Sequence, residues 1–308
     1  MKILVTGGAG FIASHIVDAY IEDNHDVVVI DDLSSGKKDY LNPKARFYKA
    51  DIRDKKIVGE IIAQEKPQVI NHHAAQISVR KSVEDPIYDA QTNLCGLLNL
   101  LESGKNNGLK KVIFASSGGV VYGEAEVIPT PESYTPLLPL SPYGVAKLAS
   151  EYYLHFYQKT YGISYVALRY SNVYGPRQNP HGEAGVVAIF SKKLIQNQIP
   201  VINGDGLQTR DYVYVADVAR ANQAALSYKD SGLFNISTGK ETDVVTLFQN
   251  ISRIMKSSIQ AAHGEVKKGE QKRSCLNINL AKDTLQWVPQ TDLNTGLAQT
   301  VEFFKKNE

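Results

Sequence analysis

The sequence has 308 residues, and its 34 basic and 32 acidic side chains give a formal net charge of +2. Such a chain can bury a large core, as one α/β domain or as two lobes. The balanced charge gives no attraction to nucleic acid or to a membrane, and no apolar run approaches the roughly 20 residues of a membrane span. Met1 leads directly into the first predicted strand, so we expect no signal peptide, and Cys95 and Cys275 form no CxxC pair. We therefore expect a cytoplasmic protein with reduced thiols and without a metal site.

The first 32 residues carry the strongest pattern. An apolar run at 2–5 predicts a strand, a glycine-rich turn follows at 6–10, and apolar side chains at helical spacing predict a helix after it. A second apolar run at 27–30 ends in Asp31. This order of strand, glycine turn, helix, strand and acid is typical of a dinucleotide-binding βαβ unit.

Each small residue of this unit has a physical role. Gly7 allows the tight turn, Gly10 lets the backbone approach a pyrophosphate, and Ala13 lets the helix pack on the strand. The helix N-terminus offers free N–H groups and a partial positive charge to the diphosphate. Asp31 can accept hydrogen bonds from the adenosine ribose hydroxyls, which favours NAD over NADP. Glycines alone usually only make turns, but the flanking strands and the acid favour a cofactor site.

Strands and helices continue to alternate through the first half of the chain, which predicts a parallel sheet covered on both faces. The next elements are predicted as strands at 46–49, 67–73, 111–115 and 163–168 and a helix over 88–105. Ser141 as N-cap and Pro142 at the first helical position predict a further helix, which ends at about Tyr161.

Beyond Tyr170 the pattern is less regular. Loops are predicted at 174–183 and 203–210, strands at 213–214 and 233–236, and helices at 186–197, 217–227, 243–255 and 293–304. The predicted fold is a Rossmann-type doubly wound parallel sheet, an α/β fold, with a smaller substrate-binding lobe. We assign residues 1–170 and about 211–240 to the NAD-binding domain, and 171–210 and 241–308 to the lobe.

Candidate chemistry lies on the helix after Ser141. Tyr143 and Lys147 are four residues apart and therefore project from one face of this helix. A tyrosine with a pKa of about 10 is a poor base at neutral pH, and lowering that pKa by about three units requires roughly 4 kcal/mol. A neighbouring ammonium and a positive nicotinamide ring would favour the phenolate. Ser117, at the end of a strand, would face the same crevice. By spacing alone, an ordinary surface pair of Tyr143 and Lys147 is the better interpretation.

Further motifs occur in the order found in extended short-chain dehydrogenases/reductases. They are Gly7-x-x-Gly10-x-x-Ala13, Asp31, Asp51-Ile52, Ser116-Ser117, Tyr143-x-x-x-Lys147, the run 169–177 (RYSNVYGPR), the run 204–215 (GDGLQTRDYVYV), the run 234–236 and Gly269-Glu270. The chain resembles above all the nucleotide-sugar epimerase branch, the UDP-glucose (UDP-galactose) 4-epimerases. The resemblance covers nearly the whole chain.

This resemblance implies an NAD-dependent epimerisation of a UDP-sugar. Tyr143 would take the proton of the sugar 4-hydroxyl while a hydride passes from C4 to the nicotinamide. Lys147 would hold the nicotinamide ribose and lower the pKa of Tyr143, and Ser117 would bind the same oxygen. The 4-keto sugar would then turn over and take the hydride back on its other face, so that NAD stays bound between turnovers.

The resemblance also implies the contacts with each ligand. The NAD contacts would be Gly7, Gly10, Phe11, Ile12, Asp31, Asp32, Leu33, Ser34, Ser35, Gly36, Asp51, Ile52, His73, Ala74, Ala75, Tyr143, Lys147 and Tyr170. The UDP-sugar contacts would be Ser117, Tyr143, Asn172, Val186, Asn203, Arg210, Lys267 and Ser274. A homodimer is implied as well, through a helix pair that includes the helix with Tyr152, Tyr153 and Tyr157.

Some positions depart from the family pattern or leave an alternative open. One extra residue between Phe114 and Tyr122 leaves Ser116 as an alternative to Ser117. Lys267 or Lys268 stands where relatives have an arginine, and His73 where many have an apolar residue. A lysine keeps the charge of an arginine but loses its bidentate fork. His73 is expected to be a packed side chain rather than a catalyst.

Two substrate contacts have alternatives of their own. A guanidinium suits phosphate oxygens, which supports Arg210, but a salt bridge to Asp211 or Asp205 is the simpler interpretation. Ser274 stands at the position that in this family limits the room beside the sugar 2-substituent. Its small side chain predicts that UDP-N-acetylglucosamine is accepted as well as UDP-glucose.

Rival functions follow from the same fold. A nucleotide-sugar 4,6-dehydratase needs an acid pair beside the active hydroxyl, whereas Gly118 and Gly119 follow Ser117 here. A UDP-glucuronate epimerase or decarboxylase stays open, because no basic residue can be assigned to a sugar carboxylate. An NAD-bound sensor or scaffold would be expected to have lost Tyr143 or Lys147.

Overall fold

A computed structural model describes residues 1–180, 185–266 and 271–307. Among these residues no helix is long and apolar enough to span a membrane. The strands are, in chain order, β1 (Lys2–Thr6), β2 (Asp26–Asp31), β3 (Arg46–Lys49), β4 (Val69–His72), β5 (Lys111–Ser117), β6 (Ser164–Tyr170), β7 (Asn172–Tyr174), β8 (Val201–Asn203), β9 (Thr209–Tyr214), β10 (Gly232–Ile236), β11 (Glu241–Asp243) and β12 (Ala262–Gly264).

The helices are α1 (Phe11–Glu22), α2 (Lys55–Glu65), α3 (Val79–Glu84), α4 (Pro86–Ala90), α5 (Gly96–Gly104), α6 (Gly118–Val121), α7 (Pro142–Tyr161), α8 (Val186–Ile195), α9 (Val215–Ser227), α10 (Val244–Met255), α11 (Asn279–Leu285) and α12 (Leu293–Lys306). A π-helical turn at Gln91–Cys95 joins α4 to α5, so the predicted helix over 88–105 is nearly continuous. A short 3-10 helix lies at Lys38–Tyr40.

A seven-stranded sheet forms the centre of the molecule, in the order β10-β6-β5-β4-β1-β2-β3. All of its strand pairs are parallel. The order reverses at β1, which pairs with β2 on one side and β4 on the other. Ligands of such sheets bind outside the carboxyl ends of the strands at this point. The Rossmann-type fold is therefore confirmed, and Gly7 follows β1 directly at the switch point.

Helices cover both faces of this sheet. Alternate strand residues point to opposite faces, so β1 sends Ile3 and Val5 into one apolar core and Leu4 into the other. The first core also takes residues of α1 and α9, and the second takes residues of α2, α5 and α7. Both faces are therefore covered by buried apolar side chains, and the carboxyl edge of the sheet is left for polar groups.

A smaller lobe stands beside this edge. It contains a three-stranded sheet in the order β11-β9-β7 and a two-stranded sheet of β12 and β8. Residues of α8, α10 and α12 form its apolar core. Thr209 and Arg210, predicted as part of a loop, belong to β9 and pair with Asp243 and Thr242. This prediction was wrong because the partner strand lies some distance along the chain and leaves no local signal.

We retain as a proposal the division into a domain of residues 1–170 with about 211–240 and a lobe of 171–210 with 241–308. The strand β10 adds to the large sheet, whereas β11 adds to the lobe, as do residues 211–214, which are the second half of β9. One later segment returns to the first domain, because Ala281, Leu285 and Trp287 pack into the core beneath α1 and α9.

Candidate active site

The turn after β1 requires its glycines. Gly7 has a φ of +71°, and a Cβ atom placed there would lie 2.8 Å from the backbone nitrogen of Ala74. Gly10 is the N-cap of α1 and has no side chain to cap it. The backbone N–H groups of Phe11 and Ile12 in the first turn are therefore left for an anionic ligand.

Asp31, at the end of β2, holds the turn in place. Its carboxylate is buried and accepts hydrogen bonds from the backbone N–H groups of Ala9 at 3.0 Å and Leu33 at 2.8 Å. Burial raises the pKa of Asp31, and these two bonds oppose that shift. The predicted adenosine contacts Asp32, Leu33, Ser34, Ser35 and Gly36 form the loop that follows, and a Cβ at Gly36 would lie 2.9 Å from the Ala9 Cβ.

Asp51 and Ile52 follow β3 at the same edge. The Asp51 carboxylate accepts from the Arg53 Nε at 3.0 and 2.9 Å, and this contact lowers the pKa of Asp51. Ile52 is buried against Gly96, where an added Cβ would lie 2.6 Å from the Ile52 Cδ1. This close packing fixes the distance between residues 51–52 and the helix α5.

The exit of β4 contributes His73, Ala74 and Ala75. The backbone N–H groups of His73 and Ala74 both donate to the Thr6 Oγ1 at 3.2 Å. The His73 ring stacks on Tyr170 at 5.8 Å between centroids, and its Nε2 lies 3.0 Å from the Tyr170 Oη. Burial, and then the charge of Lys147, lowers the pKa of His73 to about 3. His73 is therefore a neutral, packed side chain.

The helix α7 begins where the sequence predicts. Ser141 caps it by accepting from the backbone N–H of Gly144 at 3.1 Å, and Pro142 is the first helical residue. Lys147 is 3% exposed, and its Nζ donates to the Ala115 carbonyl at 2.8 Å. The same ammonium lies 5.7 Å from the centroid of the Tyr143 ring. The Tyr143 and Lys147 pair is therefore docked on the end of β5 and is not an ordinary surface pair.

Burial acts on this pair in opposite directions. It lowers the pKa of Lys147 to about 8, against the charges of Asp89 and Glu151. It raises the pKa of Tyr143, and the carboxylate of Asp89 raises it further. The protein matrix by itself thus disfavours the Tyr143 phenolate. The predicted depression of its pKa stays a prediction that depends on the positive nicotinamide ring.

The two candidate serines have different surroundings. Ser116 is buried and donates to the Glu151 Oε1 at 2.6 Å. Ser117 is half-buried at the carboxyl end of β5, two residues after the carbonyl that binds Lys147. This arrangement favours Ser117 as the hydroxyl that faces a ligand.

The predicted substrate contacts gather around β9. Asn172 pairs with Tyr212 of β9, and Arg210 precedes that pair by two residues. A bridge between Thr209 and Arg273 places Ser274 beside the same strand. Val186 and Asn203 lie at the start of α8 and the end of β8, which border the core of the lobe. Lys267 and Lys268 lie outside the described residues.

The segment 271–276, which contains Ser274, contacts the residues that follow Ser117. The Gln271 Nε2 donates to the Gly123 carbonyl at 2.9 Å. Leu276 packs so closely on Gly118 that an added Cβ there would collide with it. Because Gly118 follows Ser117 directly, this contact brings the segment with Ser274 next to the strand end that carries Ser117.

Arg210 is half-buried, and its Nη1 donates to the Thr209 carbonyl at 2.8 Å. The neighbouring carboxylates have other partners. Asp211 is fully buried and accepts from the backbone of Thr238 and Gly239 at 2.9 Å each, and Asp205 accepts from the Leu207 N–H at 3.0 Å. Both carboxylates are thus engaged with backbone N–H groups, and the assignment of Arg210 to the diphosphate stays a prediction.

Two buried polar clusters beside Lys147 were not predicted. In the first, the Asp89 Oδ1 accepts from Gln76 at 2.9 Å and from Asn93 at 2.8 Å. The second is an ion pair between Glu151 and Arg169. Its signal in the sequence is Arg169 itself, a charged residue in an apolar strand, since such a residue is seldom buried without a partner.

The structure agrees with the cofactor predicted from the sequence. The N-terminus of α1 has no side-chain cap and could bind a diphosphate, and the buried Asp31 ends the strand beside the glycine turn. His73 and Tyr170 stack at the carboxyl edge next to Lys147, where a nicotinamide would lie. The residues present therefore fit NAD.

Comparisons with known proteins agree with this fold and site. Residues 3–237 match the model of the NAD dependent epimerase/dehydratase family. A UDP-glucose 4-epimerase of Mycolicibacterium smegmatis is 44% identical over 99% of both chains. The crystal structure of a UDP-glucose 4-epimerase with UDP-glucose from Thermotoga maritima is 48% identical, with a TM-score of 0.98 over 100% of this chain and 99% of that one.

A third similar protein has a different sugar in its name. The structure of a UDP-N-acetylglucosamine 4-epimerase from Methanobrevibacter ruminantium, in complex with UDP-N-acetylmuramic acid, is 38% identical with a TM-score of 0.93. It covers 100% of this chain and 99% of that chain. Together with the geometry of the site, these matches show that the chain belongs to the NAD-dependent epimerase/dehydratase family.

Proposed function

We propose that this protein is a UDP-sugar 4-epimerase that interconverts UDP-glucose and UDP-galactose. The observation that carries the proposal is the docking of Tyr143 and Lys147 on the end of β5 beside Ser117, within an NAD-binding fold. The likeness to UDP-glucose 4-epimerases along the whole chain supports the same reaction.

Bound NAD would supply an acceptor and donor for the hydride at C4 of the sugar. Tyr143 takes the proton of the 4-hydroxyl at its Oη and later returns it, and Ser117 holds the same oxygen through a hydrogen bond. Lys147 keeps a positive charge 5.7 Å from the centre of the phenol ring, and such a charge favours the phenolate that burial and Asp89 disfavour. The buried setting of Lys147 strengthens this interaction because the local dielectric constant is lower than that of water.

The UDP moiety is assigned to the lobe. Arg210 on β9 suits the diphosphate, and Asn172 on the neighbouring strand β7 lies two residues after Tyr170. The sugar then reaches between Ser117 and the segment 271–276. The small side chain of Ser274 in that segment supports acceptance of N-acetyl sugars, and so does the likeness to a UDP-N-acetylglucosamine 4-epimerase.

The rival activities have less support. A dehydratase would need acids after Ser117, but Gly118 and Gly119 stand there, and a side chain at Gly118 would have to displace Leu276. A glucuronate epimerase would need a cation for the carboxylate, and the described part of the site assigns none to that position. A sensor on the same fold would have no need of the complete set of Tyr143, Lys147 and Ser117.

The test is proton NMR of the purified protein with UDP-galactose and no added cofactor. The expected result is a growing anomeric signal of UDP-glucose, together with NAD in the supernatant after denaturation. Bound NAD without any product from UDP-galactose or its N-acetyl analogue would contradict the proposal. Activity on UDP-glucuronate alone would favour the second candidate.

We also propose a homodimer. Val83 of α3, Ile87 of α4 and Tyr152 and Phe156 of α7 are large apolar side chains with 48–70% of their surface exposed. They lie on helices that pack side by side, and a second copy of the chain would cover them. Tyr157, by contrast, is buried within the protomer and donates to Glu102. A monomer at micromolar concentration in sedimentation analysis would contradict this assignment.

A cytoplasmic location is proposed on the cysteines. Cys95 is exposed and Cys275 is buried, and both are free thiols. Unpaired cysteines persist most easily where glutathione keeps thiols reduced. A fusion to a fluorescent protein that accumulated outside the cytoplasm would contradict the proposal.

A further inference from the structure

A buried ion pair ties α7 to the central sheet. Arg169 of β6 donates from Nε to the Glu151 Oε1 at 2.9 Å and from Nη2 to the Oε2 at 2.6 Å. The two side chains are 1% and 4% exposed. Ser116 of β5 donates to the same Oε1, and the Arg169 Nη1 donates to the Tyr122 hydroxyl at 2.9 Å. Residues of β5, β6, α7 and the segment after α6 therefore meet at one carboxylate and guanidinium pair.

Stability alone gives no reason for such a pair. Removing two opposite charges from water costs free energy that their attraction often fails to recover, and apolar side chains of similar volume are frequently as stable or more so. The pair instead fixes the orientation of the Glu151 carboxylate relative to the Arg169 guanidinium. A guanidinium forms two parallel bonds with a carboxylate only when the two planar groups face each other at a fixed angle.

The pair continues the row of side chains that carries the proposed chemistry. Tyr143, Lys147 and Glu151 follow one another at intervals of four residues, so they lie on one face of α7 in successive turns. Lys147 by itself is a weak anchor, because it holds one carbonyl through a flexible chain. Glu151 adds a rigid contact one turn further along the same face.

The other end of the contact lies beside the strand end that carries the candidate hydroxyl. Arg169 and Ser116 are register partners in the β5 and β6 pairing, and Ser117 is the next residue of β5. Because Glu151 binds both partners at once, it sets both the rotation of α7 and its position along its own axis relative to Ser117.

We propose that the Glu151–Arg169 pair is a positioning unit that holds Tyr143 and Lys147 in register with Ser117. This inference rests on the proposed function, since it acts through the residues that touch the sugar. Neither Glu151 nor Arg169 is a catalytic residue, because both are enclosed by the sheet and α7.

The test is a triple variant, Ser116→Ala with Glu151→Leu and Arg169→Met. It removes both charges and the Ser116 hydroxyl together, so that none of these three groups is left without its partner. The Tyr122 hydroxyl keeps its bond to Asn235 at 2.7 Å. We expect a melting temperature near that of the wild type and unchanged NAD content. We expect kcat to fall about 100-fold, since a shift of about 1 Å in reacting groups has this effect, and KM to change little.

Two further variants complete the experiment. Lys111→Met removes a buried cation at the opposite end of the same strand, where Lys111 donates to the carbonyl of Tyr228. It is expected to alter stability and leave kcat per folded molecule unchanged. Arg169→Lys keeps the charge and loses the two parallel bonds, so a fall in kcat at constant KM is expected from it as well.

Each outcome decides the matter. A folded triple variant with kcat within about threefold of the wild type overturns the proposal. If the triple variant does not fold, unchanged kcat in Arg169→Lys overturns it. A wild type without epimerase activity counts against the proposed function, and the crystal structure of the triple variant then tests positioning directly. A displaced Tyr143 relative to Ser117 supports the proposal, and an unchanged separation overturns it.

Discussion

The two walls of the cleft are built in different ways. The wall with Ser117, Tyr143 and Lys147 rests on a seven-stranded sheet and on α7, a helix of 20 residues. Its anchors are buried, including the Glu151 and Arg169 pair. The other wall is formed by β7 and β8, strands of three residues each, by β9, and by the segment 271–276, which has isolated bridges to its neighbours.

This difference suggests a division of labour. Long elements anchored in the central sheet hold reacting groups in place, whereas short segments with few strand partners can change with less cost to the fold. We infer that the first wall sets the rate of the chemical step and that the second sets binding and the choice of sugar. Substitutions should then separate into effects on kcat and effects on KM or substrate range.

The largest effect is expected for Tyr143→Phe. Loss of the group that moves the proton of the 4-hydroxyl should lower kcat by about 1000-fold, with NAD content unchanged. Initial rates from the NMR assay measure this effect. The control is Tyr152→Phe, which removes a phenol from an exposed position on the same helix. Equal losses of kcat in both variants would contradict the assignment of Tyr143 as the group that moves the proton.

A smaller effect is expected at Arg210. Replacing it with methionine should raise KM for UDP-galactose by about 10- to 100-fold, because a charged hydrogen bond to the diphosphate is lost, with less change in kcat. Arg210→Lys keeps the charge but loses the bidentate contact, so its KM should lie between those of the wild type and the methionine variant. A variant with altered kcat and normal KM would contradict the assignment of Arg210 to the diphosphate.

Ser274 should determine which UDP-sugar is accepted rather than the rate of the chemical step. A tyrosine there fills the space beside the 2-substituent, so kcat/KM for UDP-N-acetylglucosamine should drop about tenfold or more. Turnover of UDP-galactose should be nearly unchanged. Ser274→Ala is the matched control, as it adds no volume. If the wild type never uses the N-acetyl sugar, the role of Ser274 is disproved.

The smallest expected effect is on the pH dependence of the activity. Burial places the pKa of Lys147 at about 8, so its ammonium is lost as the pH rises through this value. Activity should therefore decline on the alkaline side, because the charge beside Tyr143 disappears. The same pH profile should be found for Lys111→Met, whose missing ammonium also has a pKa of about 8 but lies remote from the site. A rate that stays flat to about pH 10 would show that Lys147 remains charged.

Local patterns in the sequence predict the first wall better than the second. The limits of α7 agree with the prediction from Ser141 and Pro142, because caps are local signals. The strand predicted at 213–214 is the second half of β9, but the first half, which contains Arg210, was missed because it forms by pairing with β11 from a later part of the chain. Arg169 in an apolar strand predicts some buried partner, but only the packing of α7 identifies Glu151.

The buried environment of Tyr143 also lay beyond prediction. Spacing places Lys147 on its face of the helix, but the desolvation that raises the pKa of Tyr143 depends on how α7 packs against the sheet. The same holds for Asp89, whose carboxylate becomes a neighbour through the packing of α4 on α7. Electrostatics of this kind follow from tertiary structure.

The most direct test of the central claim uses UDP-galactose with deuterium at C4. If the hydrogen leaves C4 as a hydride and returns within one closed site, the UDP-glucose formed in ordinary water should keep its deuterium at C4. Proton NMR of the product measures this at the C4 signal. Complete replacement of the deuterium by solvent hydrogen would contradict hydride transfer and return, and with it the roles given to Tyr143, Lys147 and Ser117.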